Sequence, residues 1–271
     1  MPTESAFRRY PATRDDGPAS LARVGLIALA SDHTAEGELR ALVERPGVAL
    51  YTTRVANDPV VTPESLKAME AGLTDCAARL LPGIAFDVIA YGCTSASTVI
   101  GEEVVAERVR AAKPEVAIAT PIGAARAAMV ALGARSVAVL TPYTDDVNAR
   151  IHDHLVDHGI TVTAFGSFHD DNDNSVARID AASIAAAARD LAMAPGTEAV
   201  FISCTSIRFA AHIPDLEAEL GLPVVTSNTG LAWSILRQAG IDTPEPARGR
   251  LYALPYPGPA FRSSRVRSQS S

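Results

Sequence analysis

Short apolar runs rich in β-branched residues alternate with longer, alanine-rich amphipathic stretches through residues 24–240. This alternation is typical of an α/β protein with a doubly wound parallel sheet, because each parallel strand needs a crossover connection to reach the next. It predicts helices in most of the gaps between strands. The predicted strands are residues 24–29, 48–54, 87–92, 116–120, 136–141, 161–165, 199–203 and 223–227.

The same order of elements occurs twice along the chain. In each half, a strand that leads to a cysteine is followed by a helix, by a short strand that ends in threonine and by a second helix. The threonine is Thr120 in the first half and Thr226 in the second, and the second helix is predicted at 122–132 and at 229–238, respectively. Two similar halves of this kind are related by a pseudo-twofold axis, so equivalent strand ends face each other across a cleft.

The repeat predicts two similar doubly wound parallel-sheet lobes. We assign residues 21–121 and about 229–258 to the first lobe and residues 122–228 to the second. Residues 1–20 are polar and rich in proline and glycine, and residues 259–271 end in serine and arginine. We therefore predict a flexible N-terminal tail and a C-terminal tail.

Two of the three cysteines occupy equivalent positions in the two halves, each directly after a predicted buried strand. Ligands of open α/β sheets bind at the carboxyl ends of the strands, and a helix that begins behind a cysteine lowers the pKa of its thiol. We therefore predict that these two thiols face each other across one ligand site, each at the start of a helix. Cys76 lies within a predicted helix and is expected to be a core residue. The two repeated motifs are Cys93-Thr94-Ser95 and Cys204-Thr205-Ser206.

Two thiols on opposite faces of a small molecule can carry out either of two reactions. One thiolate can remove a proton next to a carboxylate while the opposite thiol returns a proton. Alternatively, a thiolate can add to an electron-poor double bond, which rotates as a single bond before the thiolate leaves. Both reactions build negative charge on a substrate carboxylate. We expect backbone N–H groups behind the two cysteines to hold that charge, helped by the hydroxyls of Thr94, Ser95, Thr205 and Ser206.

Charge and hydropathy exclude several classes of protein. The formal net charge of -7 argues against a nucleic-acid partner. No run approaches the roughly 18 apolar residues of a membrane span, and the N-terminal segment lacks the apolar core of a secretory signal. We therefore expect a cytoplasmic protein without a membrane partner, whose cysteines are reduced thiols.

The sequence contains no nucleotide-phosphate motif, and neither of its two lysines, Lys67 and Lys113, follows a predicted strand. Pyridoxal phosphate chemistry is therefore not expected. His152, His154 and His158 lie on one predicted helix, but no third ligand at a known spacing accompanies the i, i+4 pair. We predict neither a cofactor nor a metal site.

These motifs resemble the aspartate/glutamate racemase superfamily and, within it, the branch that contains maleate cis-trans isomerase and arylmalonate decarboxylase. The resemblance rests on Val24-Gly25-Leu26-Ile27, Thr62-Pro63-Glu64-Ser65-Leu66, Gly92-Cys93-Thr94-Ser95, Thr141-Pro142-Tyr143 and Ser203-Cys204-Thr205-Ser206.

The resemblance implies a racemase-like fold and a cofactor-independent isomerase or racemase that acts on a small carboxylate or amino-acid derivative. It implies that Cys93 attacks the double bond, that Cys204 handles the proton, and that Tyr143 and Asn174 contact a substrate carboxylate. Asn172 is close enough to Asn174 to compete for that assignment. Arylmalonate decarboxylases have glycine at the position of Cys93, so the cysteine favours an isomerase. A homodimer or homotetramer is expected.

The chain departs from maleate isomerases after the first strand, where those enzymes carry an asparagine and this chain has Asp32. A carboxylate repels a substrate carboxylate, so Asp32 would suit an amine or amide if it faces the cleft, and otherwise would cap a helix. The pattern around Asp32, with Asn57-Asp58-Pro59, resembles the ectoine-utilisation protein A subfamily. That resemblance implies a diaminobutyrate-type substrate.

Two other functions stay open at this point. One is a decarboxylase or hydrolase that uses a single thiol, although no histidine lies near either cysteine in the sequence. The other is a non-catalytic small-molecule binding protein whose cysteines only line the cleft. For Tyr143 and Asn174, the alternatives to substrate contact are core packing and a turn or helix cap.

Overall fold

Two four-stranded parallel β-sheets form the centre of the computed structural model, which describes residues 7–258. The strands of the first sheet are β1 (Ala22–Leu29), β2 (Val48–Val55), β3 (Val88–Tyr91) and β4 (Ala117–Ala119). The strands of the second sheet are β5 (Ser136–Thr141), β6 (Thr161–Ser167), β7 (Ala199–Ile202) and β8 (Val224–Thr226).

The two sheets have the same topology. The first has the order β2-β1-β3-β4 and the second the order β6-β5-β7-β8. In each sheet the order reverses between the first and third strands, which is where open α/β sheets bind their ligands. Both sheets therefore place a ligand crevice at the carboxyl ends of equivalent strand pairs, β1/β3 and β5/β7.

Helices connect the strands and cover the sheets. The helices are α1 (Ala35–Val43), α2 (Pro63–Ala68), α3 (Leu73–Arg79), α4 (Thr94–Ile100), α5 (Glu102–Ala112), α6 (Pro121–Leu132), α7 (Asp145–Asp157), α8 (Asp173–Val176), α9 (Ala181–Ala192), α10 (Ile213–Leu220) and α11 (Ser227–Gln238). Short 3-10 turns occupy Met69–Gly72, Ala210–His212, Pro246–Arg248 and Arg250–Ala253.

The eight predicted strands all occur, with small differences at their ends. Residues 136–141 form a strand as predicted, and β6 extends two residues further than expected. β8 ends at Thr226 because its side chain accepts the backbone N–H of Thr229 and so begins α11. Thr120, at the equivalent point of the first half, begins α6 in the same way by accepting the N–H of Gly123 at 3.2 Å.

A helix follows the first of the two cysteines but not the second. Cys93 is the N-cap residue of α4, as predicted. After Cys204 the chain makes a turn, and the next helical residues begin only at Ala210. The predicted helix at Cys204 is therefore wrong: residues 205–206 form a turn, and residues 207–209 have no regular structure.

The repeat-equivalent helices α6 and α11 pack against each other, and α11 also packs on α1 and β3. These contacts support our assignment of the segment after residue 228 to the first lobe, and the lobe boundaries stay a proposal. Residues 7–18 are exposed and contain no helix or strand. Residues 1–6 of the predicted N-terminal tail and all of the predicted C-terminal tail lie outside the described residues.

Over residues 7–258, no helix combines the length and the apolar character that crossing a bilayer requires.

Candidate active site

A narrow cavity lies between the two lobes, at the carboxyl ends of their central strands. Cys93 and Ser95 line it from the first lobe, and Tyr143 and Cys204 from the second. Its volume is about 10 Å³, close to the minimum that a water molecule needs. A small carboxylate is larger than this, so its binding requires the walls to move apart.

Cys93 has extended backbone geometry, which lets it act as a helix N-cap. Its Sγ atom accepts the backbone N–H of Ala96 at 3.4 Å and lies 3.6 Å from the Oγ atom of Ser95. The first turn of α4 therefore aims an N–H group at the sulfur, as the strand-helix pattern predicts.

Cys204 is held in an uncommon backbone conformation. Its φ of 127° lies in the region that favours glycine, and such geometry persists only where surrounding contacts hold it. Its N–H donates to the Oγ atom of Ser227 at 3.0 Å, and its Sγ atom accepts the N–H of Ser206 at 3.3 Å. Backbone strain of this kind is concentrated at functional sites.

The hydroxyls of Ser95 and Tyr143 lie close to the two sulfur atoms. Ser95 Oγ lies 3.6 Å from the Sγ atom of Cys93. The Tyr143 hydroxyl is near the Cys204 thiol and Ser95, and it lowers the pKa of Cys204. Each sulfur therefore has a neighbouring hydroxyl group that can donate or accept a proton.

Burial raises the pKa of both cysteine thiols to about 12. The Ala96 N–H partly offsets this effect at Cys93, and the Tyr143 hydroxyl does so at Cys204, whereas the charge of Asp173 raises both pKa values further. The prediction of a lowered thiol pKa is therefore wrong for the closed cavity. Desolvation of a thiolate outweighs one hydrogen bond from a helix terminus, so both groups are neutral thiols at pH 7.

The two threonines of the cysteine motifs link the lobes. Thr205 lines the cavity, but its Oγ1 atom donates to the carbonyl oxygen of Gly92 at 3.0 Å. Thr94 is fully buried outside the cavity lining and donates to the Oγ atom of Ser227 at 2.8 Å. Thr94 therefore makes a contact between the lobes, and its predicted substrate contact stays a prediction.

Asp32 does not reach the cavity. Its Oδ1 atom accepts the N–H groups of Thr34 and Ala35 at 2.7 and 2.8 Å, and its Oδ2 atom accepts that of Glu36 at 3.2 Å. These bonds cap the start of α1, which is the alternative that the sequence left open. Both carboxylate oxygens of Asp32 therefore serve the helix in this structure, and its predicted substrate contact stays a prediction.

Asn174 also lies outside the lining of the cavity, where it was expected. It is exposed, and its Oδ1 atom lies 2.8 Å from the Nε2 atom of His33, outside the cavity lining. The preceding residue, Asp173, lines the cavity and is 4% exposed. The predicted substrate contact of Asn174 stays a prediction. The sequence did not single out Asp173, because an irregular loop rich in Asp and Asn has no periodicity that shows which side chain points inward.

Sequence reasoning missed Asp173 and Asn57, which both line the cavity. The carboxylate of Asp173 accepts from Ser31 Oγ at 2.7 Å, Ser206 Oγ at 3.3 Å and Asn57 Nδ2 at 3.4 Å. Burial raises its pKa, and these donors oppose the shift. Asn57 follows the end of β2. The rule that ligands bind at the carboxyl ends of parallel strands, which selected the cysteines, therefore also applied to Asn57.

Within residues 7–258, no group of three or more His, Cys, Asp or Glu side chains is arranged to hold a metal ion. His154 and His158 stack with ring centroids 4.3 Å apart. Burial lowers the pKa of His154 to about 4, so its ring is neutral at pH 7.

Comparison with known proteins gives consistent similarities. A protein-family model described as arylmalonate decarboxylase matches residues 59–252. A maleate isomerase from Nocardia farcinica is 30% identical over 239 residues, covering 84% of this chain and 94% of that protein.

Two solved structures have the same fold. The maleate isomerase Iso of Pseudomonas putida, in a variant with maleate, superposes with a TM-score of 0.78 at 26% identity, covering 87% of this chain and 98% of that chain. A cysteine-to-serine variant of the Nocardia farcinica maleate cis-trans isomerase, with a covalently bound succinylcysteine intermediate, superposes with a TM-score of 0.77 at 29% identity, covering 86% and 98%. These similarities confirm the fold class and the family resemblance, and the ectoine-utilisation subfamily stays a prediction.

Proposed function

This chain belongs to the arylmalonate decarboxylase family, which includes maleate isomerases, and we propose that it is a cofactor-independent isomerase or racemase of a small carboxylate or amino-acid derivative. The observation that carries the proposal is that Cys93 and Cys204, from different lobes, line one cavity together with Ser95 and Tyr143. A single-thiol hydrolase would need only one of these sulfurs.

In this proposal Cys93 is the nucleophile and Cys204 the acid or base. The N–H of Ala96 stabilises a thiolate on Cys93, and the Tyr143 hydroxyl donates to Cys204. The thiol of Cys93 first loses its proton to solvent. Its thiolate then adds to the double bond and places negative charge on the neighbouring carbon, which takes a proton from Cys204. After rotation about the new single bond, the proton returns to Cys204, the C–S bond breaks and the opposite geometric isomer is released.

The covalent succinylcysteine in the Nocardia farcinica enzyme supports an addition of this kind. The presence of Cys93 favours isomerisation over decarboxylation, because the resemblance implies glycine at this position in the decarboxylases. A narrower proposal places the protein in ectoine degradation, on the strength of the pattern around Asp32 and of Asn57-Asp58-Pro59.

The reaction is tested by proton NMR in deuterium oxide with a panel of maleate, aspartate enantiomers and 2,4-diaminobutyrate enantiomers. Isomerisation appears as a new vinyl signal, and racemisation appears as loss of the α-proton signal as deuterium enters. We expect isomerisation or racemisation of at least one of these compounds.

The two-thiol mechanism is tested on the same signal with single variants. Cys93→Ser and Cys204→Ser should each lower turnover by about a thousandfold or more, because an alcohol is a far weaker nucleophile and acid than a thiol. Cys76→Ser is the control, since Cys76 lies outside the cavity and contacts the carbonyl oxygen of Arg54. Full turnover in either cavity variant would refute the mechanism.

A further inference from the structure

We propose that Asp173 binds an ammonium group of the substrate, so that this site selects a small carboxylate that also carries an amino group. This inference rests on the proposed function, because it names the substrate class of the same cavity. Its basis is a buried carboxylate in the cavity wall whose protein partners are all neutral.

The hydrogen bonds around Asp173 show which of its partners donate. The Oδ1 atom of Asn57 accepts the N–H of Ser31 at 3.1 Å, so the Nδ2 atom of Asn57 faces Ser31 Oγ at 2.8 Å and donates to it. The single hydroxyl proton of Ser31 is then directed to Asp173 Oδ2 at 2.7 Å.

The Oδ2 atom of Asp173 therefore acts as an acceptor, and Oδ1 lies 3.3 Å from Ser206 Oγ, a hydroxyl that can donate or accept. An ionised carboxylate is an acceptor only, whereas a protonated one must donate from one oxygen. The hydrogen bonds from Ser31, Ser206 and Asn57 stabilise the negatively charged form and so oppose the effect of burial, which raises the pKa of this group.

The cavity supplies no positive charge to balance Asp173. None of the residues that line it is Lys, Arg or His, and its second acid, Asp58, is exposed at the rim. A buried charge without an ionic partner is costly, and a substrate ammonium group provides that partner. A plain dicarboxylate would instead bring a second negative charge next to the first.

The charge of Asp173 also acts on the two sulfurs. It raises the pKa of Cys93 and of Cys204. An ammonium group seated on Asp173 cancels this repulsion, so a thiolate forms more readily when the matching substrate is bound. Binding of the amino group and activation of the thiols are therefore coupled through one residue.

The first test compares Asp173→Asn with Asp171→Asn, a matched control that removes the same charge from an exposed side chain of the same loop. Binding of aspartate, 2,4-diaminobutyrate, and their nitrogen-free counterparts succinate and butyrate is measured by titration calorimetry. In the wild type and in the control, an amino-bearing probe should bind about tenfold or more tighter than its nitrogen-free counterpart. Asp173→Asn should abolish that preference.

The opposite pattern would overturn the proposal. If the wild type prefers succinate and butyrate, or if Asp173→Asn keeps the preference of the wild type, Asp173 does not hold an ammonium group. Circular dichroism checks folding, and Asp173→Ser replaces the asparagine variant if that variant does not fold.

The second test needs no ligand. Alkylation of Cys93 and Cys204 by iodoacetamide is followed by mass spectrometry, with Cys76 as the internal reference. Asp173→Asn should react several-fold faster at both cavity thiols than Asp171→Asn, because loss of the negative charge lowers their pKa. Equal rates would show that Asp173 is uncharged and would overturn the proposal.

Neither readout requires turnover. A negative result therefore leaves the two-thiol reaction standing, whereas active Cys93→Ser or Cys204→Ser variants would refute the reaction without affecting these measurements.

Discussion

The Oγ1 atom of Thr205 donates a 3.0 Å hydrogen bond to the carbonyl oxygen of Gly92. Each of these residues is the immediate neighbour of a cavity cysteine, and the two lie in different lobes. The bond therefore joins the ends of β3 and β7 directly, close to both sulfurs. It shows how the internal repeat brings two distant segments of the chain to one site.

A second bond between the lobes leads to a prediction about stability. Thr94 Oγ1 donates to Ser227 Oγ, which also accepts the N–H of Cys204. Thr94→Val keeps the shape and removes this donor, so we expect the free energy of unfolding to fall by about 1–2 kcal/mol. Urea unfolding measures the change. Thr98→Val is the control, because Thr98 bonds only within its own helix, and an equal loss in both variants would contradict the prediction.

The strained backbone of Cys204 predicts an unusual order of stabilities. Alanine normally stabilises a protein relative to glycine, but at a φ of 127° glycine relieves strain of about 1–3 kcal/mol. We expect Cys204→Gly to be more stable than Cys204→Ala by about 1 kcal/mol in thermal or urea unfolding. At Cys93, whose φ is -143°, Cys93→Ala should be more stable than Cys93→Gly. The same order at both sites would argue against strain at Cys204.

The Tyr143 hydroxyl predicts a kinetic effect without loss of the fold. Tyr143→Phe keeps the buried ring and removes the group between Ser95 and Cys204. Because a hydrogen bond to a charged group contributes about 1.5–3 kcal/mol, turnover should fall by about 10–100-fold. Steady-state kinetics and the melting temperature are the measurements. Unchanged turnover would remove Tyr143 from the proposed mechanism.

The raised thiol pKa values predict that stability falls in alkaline solution. Above about pH 9 the unfolded chain releases thiol protons that the native state retains up to a pKa of about 12. The native state then binds more protons, so the free energy of unfolding should fall by about 1.4 kcal/mol per pH unit for each thiol. Below about pH 8 the contribution of these thiols is constant.

Urea unfolding at a series of pH values tests this decline. The double variant of Cys93→Ser and Cys204→Ser should show a shallower slope, because serine does not titrate in this range. Some slope should persist, since burial also raises the pKa of Cys76 and Tyr143. Equal slopes in the wild type and the double variant would refute the high native pKa values.

Local pattern was sufficient to predict most of the fold. The central strands of a parallel sheet are buried on both faces and therefore consist of continuous apolar runs, such as residues 87–92 and 199–203. These strands are recognisable from composition and spacing alone. The threonine caps at Thr120 and Thr226 depend only on residues within the next turn. The repeat then implied two lobes and selected Cys93 and Cys204.

The roles of single polar side chains depended on distant neighbours. Asp32 and Asp173 are the same residue type, yet one caps a helix and the other lines the cavity. The difference arises from residues 142 positions apart in the chain, since Ser31 donates to Asp173 across the lobes. No local pattern contains that information.

The amino-acid sequence by itself therefore determined the strands, the threonine-capped helix starts, the duplication and the pair of cysteines, because these follow from interactions within a few residues or from hydrophobic patterning. Only the tertiary structure decided that Asp173 and not Asn174 points inward, that Cys204 adopts a φ of 127°, and that both thiols are protonated in the closed cavity. The physical reason is that side-chain direction, backbone strain and desolvation depend on every group that surrounds a residue in three dimensions.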